Sequence, residues 1–157
     1  MNLFVLDTNP EMAATYHCDK HVVKMILEVA QMLCTSHHVV GNSSAPYRKT
    51  HVNHPCSVWV RQSPENYQWA LDLGLALCDE YTKRYGKVHK TQAVLEWCDL
   101  HRPEGLRGVQ TPFVQVMPEI YKDPCAVTAY RNYYRGEKAK IARWKNGRTP
   151  DWFSTGE

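Results

Sequence analysis

Residues 9–33, NPEMAATYHCDKHVVKMILEVAQML, decide what kind of protein this is. Asn9 offers a side-chain oxygen to the first unpaired N–H groups of a helix. Pro10 has the backbone angle of a first helical residue, and Glu11 faces the positive end of the helix dipole. From Met12 to Leu33 the spacing predicts one continuous helix. Val22, Val23, Met25, Ile26, Leu27, Val29, Met32 and Leu33 wrap apolar groups around much of its circumference, the pattern of a largely buried helix. Upstream, Leu3–Leu6 is a short apolar run, a strand or a buried extended arm, leading into Asp7 and Thr8.

The capping chemistry at Asn9 recurs twice. Ser63-Pro64-Glu65 opens a helix running to about Tyr85 and stopped by Gly86, and Asp123-Pro124 opens one reaching about Lys145 and stopped by Asn146-Gly147. A shorter helix is expected from Thr91 to His101. Gly41–Thr50 and Arg102–Thr111, rich in polar residues, glycine and proline, read as loops. The fold expected is mainly α: a compact helical single domain over residues 1–157 with a short N-terminal extended segment.

Composition agrees with a packed chain. Of 157 residues, 43% are hydrophobic and 22% charged, which excludes a disordered or collagen-like polymer. No apolar run reaches the length of a membrane span, and the first residues lack the basic and apolar regions of a secretory signal, so a soluble, cytoplasmic protein with no membrane partner is expected. The six cysteines contain no CxxC pair, and disulfides are not expected.

Polar groups on a buried helix need a reason. His17, His21, Lys24 and Glu28 are spaced by four, three and four residues, so successive turns stack them on one face. One reading is a helical Lys24–Glu28 ion pair beside two partly exposed histidines. The sharper reading is catalytic: a lysine kept partly dry near imidazoles becomes a nucleophilic amine, and a carboxylate one turn away moves protons or stabilises a cation. Such a set suits covalent chemistry at a carbon next to oxygen, as in opening a sugar after loss of its base. Asp7 is a second candidate carboxylate.

His51 and His54 form a second cluster. With His17, His21, Cys18 and Cys56 they are candidate zinc ligands, but the first helix has Cys18 where a zinc protease has glutamate. Binding a phosphate or orienting a neighbour is the other use of such histidines, and no cofactor or metal is assigned to the leading reading.

Residues 122–148 hold eight basic side chains against two acidic ones. There Arg131, Tyr134, Lys138 and Arg148 interleave with Tyr130, Tyr133 and Trp144, a mixture that suits phosphates held by cations with bases stacked on rings, or equally the buried and solvated faces of one helix. Trp59, Arg61, Asn66 and Gln115 are further candidates for substrate binding, Asn66 and Gln115 by reading a base edge. Phe113 is a candidate wedge.

On these residues the chain resembles the small all-helical pyrimidine-dimer DNA glycosylase family of bacteriophages and bacteria, the endonuclease V type. The resemblance rests on Ala13-Ala14-Thr15-Tyr16-His17, on His54 through Tyr85, and on Tyr130-Arg131-Asn132-Tyr133-Tyr134 with Asp151-Trp152-Phe153. It implies DNA as substrate, cleavage of a damaged or modified base and then strand scission through an imine; a monomer is expected. The family uses the amine of a small residue exposed by loss of the initiator Met. Here residue 2 is Asn2, large enough that Met1 is expected to stay, and Lys24 stands nearer His17 than Glu28 does.

The leading expectation is therefore a DNA glycosylase, with or without lyase activity. His17 would contact phosphate or sugar, Lys24 would serve as the amine or as a cationic stabiliser, and Glu28 or Asp7 would oppose charge on the sugar. The alternatives are a metal-dependent phosphodiesterase or nucleotide-processing enzyme using the histidines, and a non-catalytic protein that binds nucleic acid or a host factor.

Overall fold

Ser63 and Asn9 act as the sequence leads one to expect. The structure, a computed structural model, describes residues 1–42, 44–145 and 148–155. Asn9 Oδ1 accepts from the N–H groups of Glu11 and Met12 and starts α1 (Pro10–Tyr16). Ser63 Oγ accepts from Asn66 N–H and starts α4 (Pro64–Tyr85), which Gly86 ends in the left-handed region at φ 70°. The expected short helix is α5 (Gln92–Leu100).

The first helix is not continuous. It stops at Tyr16, His17 and Cys18 are extended, and a new helix α2 runs from Asp19 to Val39. The cause lies in α4. Arg84, 6% exposed, donates from Nη2 to Thr15 O at 3.0 Å and from Nη1 to His17 O at 2.8 Å. It thereby satisfies carbonyls at the end of α1 that would otherwise be buried without partners. The same guanidinium donates to Asp19 Oδ1 and Glu80 Oε1, both at 3.0 Å, and so ties the start of α2 to the same point.

The last long helix is also shorter than expected. It is α6 (Ala126–Arg135), ended at Gly136, where an added Cβ would run into the Tyr121 ring. Asn146 and Gly147, expected as its stop, lie outside the described residues. Three short elements have no periodicity to announce them: α3 (Pro55–Val60), a 3₁₀ turn at Glu119–Tyr121, and α7 (Asp151–Thr155).

Among the described residues there is no strand, and the regular structure is all helical. Leu3–Leu6 takes the second of its two expected forms, a buried extended arm. Helices α2 and α4 form the centre, with α1 and α5 against them. Gly74 of α4 makes the approach close, since a Cβ there would meet Val29 Cγ1 at 3.0 Å and Leu95 at 3.1 Å. One buried cluster runs through the described chain from Leu3 to Trp152. Helix α2 is less enclosed than its composition suggests: Val23 and Leu27 are 40% and 41% exposed, while Val22, Ile26, Val29 and Leu33 on its other side are fully buried.

Candidate active site

Phe4 organises the site. Its ring stacks on His21 with centroids 4.2 Å apart and meets Tyr130, Tyr133 and Tyr134 within 6.2 Å. These contacts, each about 0.5–1.5 kcal/mol beyond the burial itself, pin the arm between α2 and α6. Asn2 locks the start of the arm: its Nδ2 donates to Val116 O at 2.8 Å, and its Oδ1 accepts from Leu3 N–H and from the Tyr130 hydroxyl.

The arm so placed closes a cleft of about 440 Å³. Met1, Asn2 and Phe4 line one side, His21, Lys24 and Glu28 another, with Met117, Tyr133 and Lys138 opposite. Glu28 is 7% exposed. Its Oε1 lies 3.4 Å from the amino-terminal nitrogen of Met1 and accepts from Asn2 N–H at 3.2 Å, and its Oε2 is 3.8 Å from Lys24 Nζ. Lys138 holds its ammonium 5.1 Å from the centre of the Tyr133 ring. Among the described lining residues Glu28 is the only acid, set amid three amines.

His21 contributes as a neutral ring. Its Nδ1 is 2.6 Å from the Tyr134 hydroxyl, which also accepts from Cys18 N–H. Burial keeps the phenol protonated, and the Tyr134 hydroxyl also donates to Cys18 Sγ at 3.7 Å. Burial, with His17, Lys138 and Lys24 adding, lowers the His21 imidazole to about 3. His54 caps α3, its Nδ1 accepting from Cys56 N–H. It titrates below the ordinary range through burial first, then the amino-terminal charge and His51, with Glu28 and a hydrogen bond to the Met1 backbone acting the other way. His54 therefore stands at the edge of the same group.

The polar ladder thus survives in part. His21, Lys24 and Glu28 share the cleft, and His17 does not. Its ring is fully buried, Nδ1 donates to Ala13 O at 2.6 Å, and Nε2 is a buried acceptor without a partner. Burial, opposed by the Ala13 bond and assisted by Arg84, lowers it to about 4, so His17 is neutral and out of reach of a phosphate. Lys24 is not the dry amine expected: its side chain is 68% exposed and its charge is hydrated. Asp7 is spent on Asn9 N–H and on Arg131, away from the cleft lining.

Most of the other residues expected to touch substrate hold the fold. Asn66 is fully buried, bonding Trp59 O and both Oγ1 and N–H of Thr111. Trp59, 2% exposed, donates to Pro112 O and stacks on Phe113, so neither ring is free to wedge into DNA. Gln115 uses both ends of its amide on the Asp123 backbone, and Arg61 donates to Val52 O. Arg131 clamps the arm, donating to Leu6 O at 3.0 Å with its guanidinium over Tyr16 and Trp152. Tyr130, Tyr134, Trp144 and Trp152 are core, which removes them as stacking platforms, whereas Tyr133, 8% exposed, lines the cleft. His51 and Arg148 are exposed. Among the described residues no three His, Cys, Asp or Glu side chains converge as metal ligands.

Three parts of the cleft have no signature in the sequence: the Met1 nitrogen beside Glu28, Asn2 as anchor, and the Val116–Met117 wall. Only the apolar character of the arm around Phe4 hints that the chain start is built in.

The site thus belongs to a small helical protein in which, among the described lining residues, one buried carboxylate faces amines and a neutral histidine. More particularly, the family of pyrimidine dimer DNA glycosylases matches residues 1–93, over half the chain, and the chain belongs to that family. No curated protein and no solved structure matches it. Among the described residues no helix is long and apolar enough to cross a membrane.

Proposed function

We propose that this protein, as a monomeric single domain, excises a damaged or modified pyrimidine from DNA and cuts the strand through an imine formed in the cleft. The observation that carries the reading is the amino-terminal nitrogen 3.4 Å from the buried Glu28 carboxylate. Of the two amines that Glu28 touches, this one is held beside the carboxylate by a buried arm, whereas Lys24 is largely hydrated.

The unprotonated amine bonds to C1′ of the deoxyribose as the glycosidic bond breaks; the base leaves with that electron pair and takes up a proton. Glu28 opposes the positive charge that develops on the sugar and accepts the proton lost by nitrogen. Protonation of O4′ opens the ring and gives the imine. Loss of a proton from C2′ then expels the 3′ phosphate. His21, neutral, exchanges a proton with the base or the sugar oxygen, and Lys24 and Lys138 hold the flanking phosphate.

Duplexes carrying a cyclobutane dimer or a modified cytosine test this. Borohydride is expected to trap a protein–DNA adduct whose modified peptide contains Met1 rather than Lys24. Glu28→Gln is expected to slow excision at least about 100-fold, the scale of a lost acid–base group, with DNA binding kept. Absence of both an abasic site and a trapped adduct refutes the proposal.

A further inference from the structure

We infer that the outer face of α2, with the 47–50 segment and the 86–91 turn, is a DNA-backbone surface that carries the strand flanking the cleft. This rests on the DNA substrate proposed above. The three segments are tied together: His89 Nε2 meets Val23 O at 3.1 Å, the Tyr47 hydroxyl bonds Thr91 Oγ1 at 2.8 Å, and Thr35 Oγ1 donates to Thr50 O at 3.1 Å. Their exposed cations are Lys20, Lys24, Arg48, Lys49, Lys87 and Lys90.

No exposed acid opposes them there. Residues 44–50 and 86–91 contain no Asp or Glu. The two acids of α2 are both engaged, Asp19 by Arg84 and Glu28 by the amino terminus. A merely solvated helix face mixes charge signs and hides its apolar groups. This one is cationic throughout and leaves Val23, Leu27 and Val88 at 40%, 41% and 65% exposure, which suits deoxyribose edges between phosphates. Lys24 belongs to both the band and the cleft, so a nucleotide seated in the cleft leads its neighbours onto the band. The groove between α1 and α4, by contrast, is lined by Glu11, Asp72, Asp79 and Glu80 against Lys83, a net negative set that repels a polyanion.

The test compares salt dependence of binding to a short undamaged duplex. The variant Arg48→Ala/Lys49→Ala/Lys87→Ala/Lys90→Ala changes exposed side chains only and leaves Lys24 in place. Every phosphate that a cation no longer neutralises lowers the slope of log K against log salt by about 0.9, so the quadruple variant is expected to show a slope smaller by about 3 to 4. A control, Lys83→Ala/Arg107→Ala/Lys122→Ala, is expected to keep the slope. An unchanged slope in the quadruple variant overturns the inference, as does loss confined to Lys140→Ala/Arg148→Ala or capture of an acidic protein by this face with DNA binding unaltered. Because the duplex carries no lesion, the two readings fail separately. Binding with the expected slope change but no excision sinks the enzymatic proposal alone; excision with an unchanged slope sinks this surface alone.

Discussion

Replacing Arg84 with Met tests the joint on which the cleft depends. The guanidinium, its side chain 2% exposed, bonds two carboxylates and two carbonyls: Glu80, Asp19, Thr15 O and His17 O. Met fills most of the space of the aliphatic stem, so the loss is mainly electrostatic. Glu80, its side chain 5% exposed, is left as a buried charge without its partner, and the end of α1 loses its donors. Removing one member of a buried pair costs about 3–5 kcal/mol. Asp19 is less affected, being 18% exposed and also accepting from Lys145 N–H. About 4 kcal/mol is therefore expected, and at about 2–4 °C per kcal/mol for a chain of this size the Tm should fall by roughly 10 °C. Thermal and urea unfolding followed by circular dichroism measure it. Glu80→Gln in the Arg84→Met background should recover part of the loss, because the orphan charge is gone. A fall below about 3 °C would show that the break between α1 and α2 does not depend on Arg84.

Acid should destabilise the protein before its carboxylates are protonated. His17 and His21 are held at about 4 and about 3, whereas an unfolded chain protonates its histidines near about 6.5. The unfolded state therefore binds protons the folded state refuses. Stability is full above about pH 6.5 and falls with decreasing pH, by up to about 1.4 kcal/mol per pH unit for each histidine. Urea midpoints at neutral pH and near pH 5 check this, and equal midpoints contradict it. Asn66→Ala removes two donated hydrogen bonds and one accepted from Thr111 N–H, and should cost about 2–3 kcal/mol. Faster amide exchange at Thr111 would locate the loss, and unchanged exchange there would contradict the anchoring role.

The elements legible in the sequence are those whose causes are local. Asn9 and Ser63 cap, Gly86 terminates, and α4 begins and ends where its capping residues stand, because a helix end is satisfied by groups within about four residues of it. The 3- and 4-residue spacing of His21, Lys24 and Glu28 likewise fixes one face of α2 by helical geometry alone. Where the structure departs from those expectations, the cause comes from far along the chain. Nothing near His17 interrupts a helix; Arg84, 67 residues away, does. Helix α6 ends at Gly136, where the Tyr121 ring, a neighbour brought there by the tertiary fold, leaves no room for a Cβ.

The candidate site divides the same way. Sequence by itself determined a helical protein, the face that carries the carboxylate and the lysine, and the excess of positive charge. Only the tertiary structure decided which carboxylate is buried, that His21 and not His17 enters the cleft, that most aromatic rings of the tail are core, and that an amine stands against Glu28 across 27 residues of chain. Burial and long-range pairing depend on which surfaces meet. Spacing along a helix records only which way a side chain faces, not what it finds there.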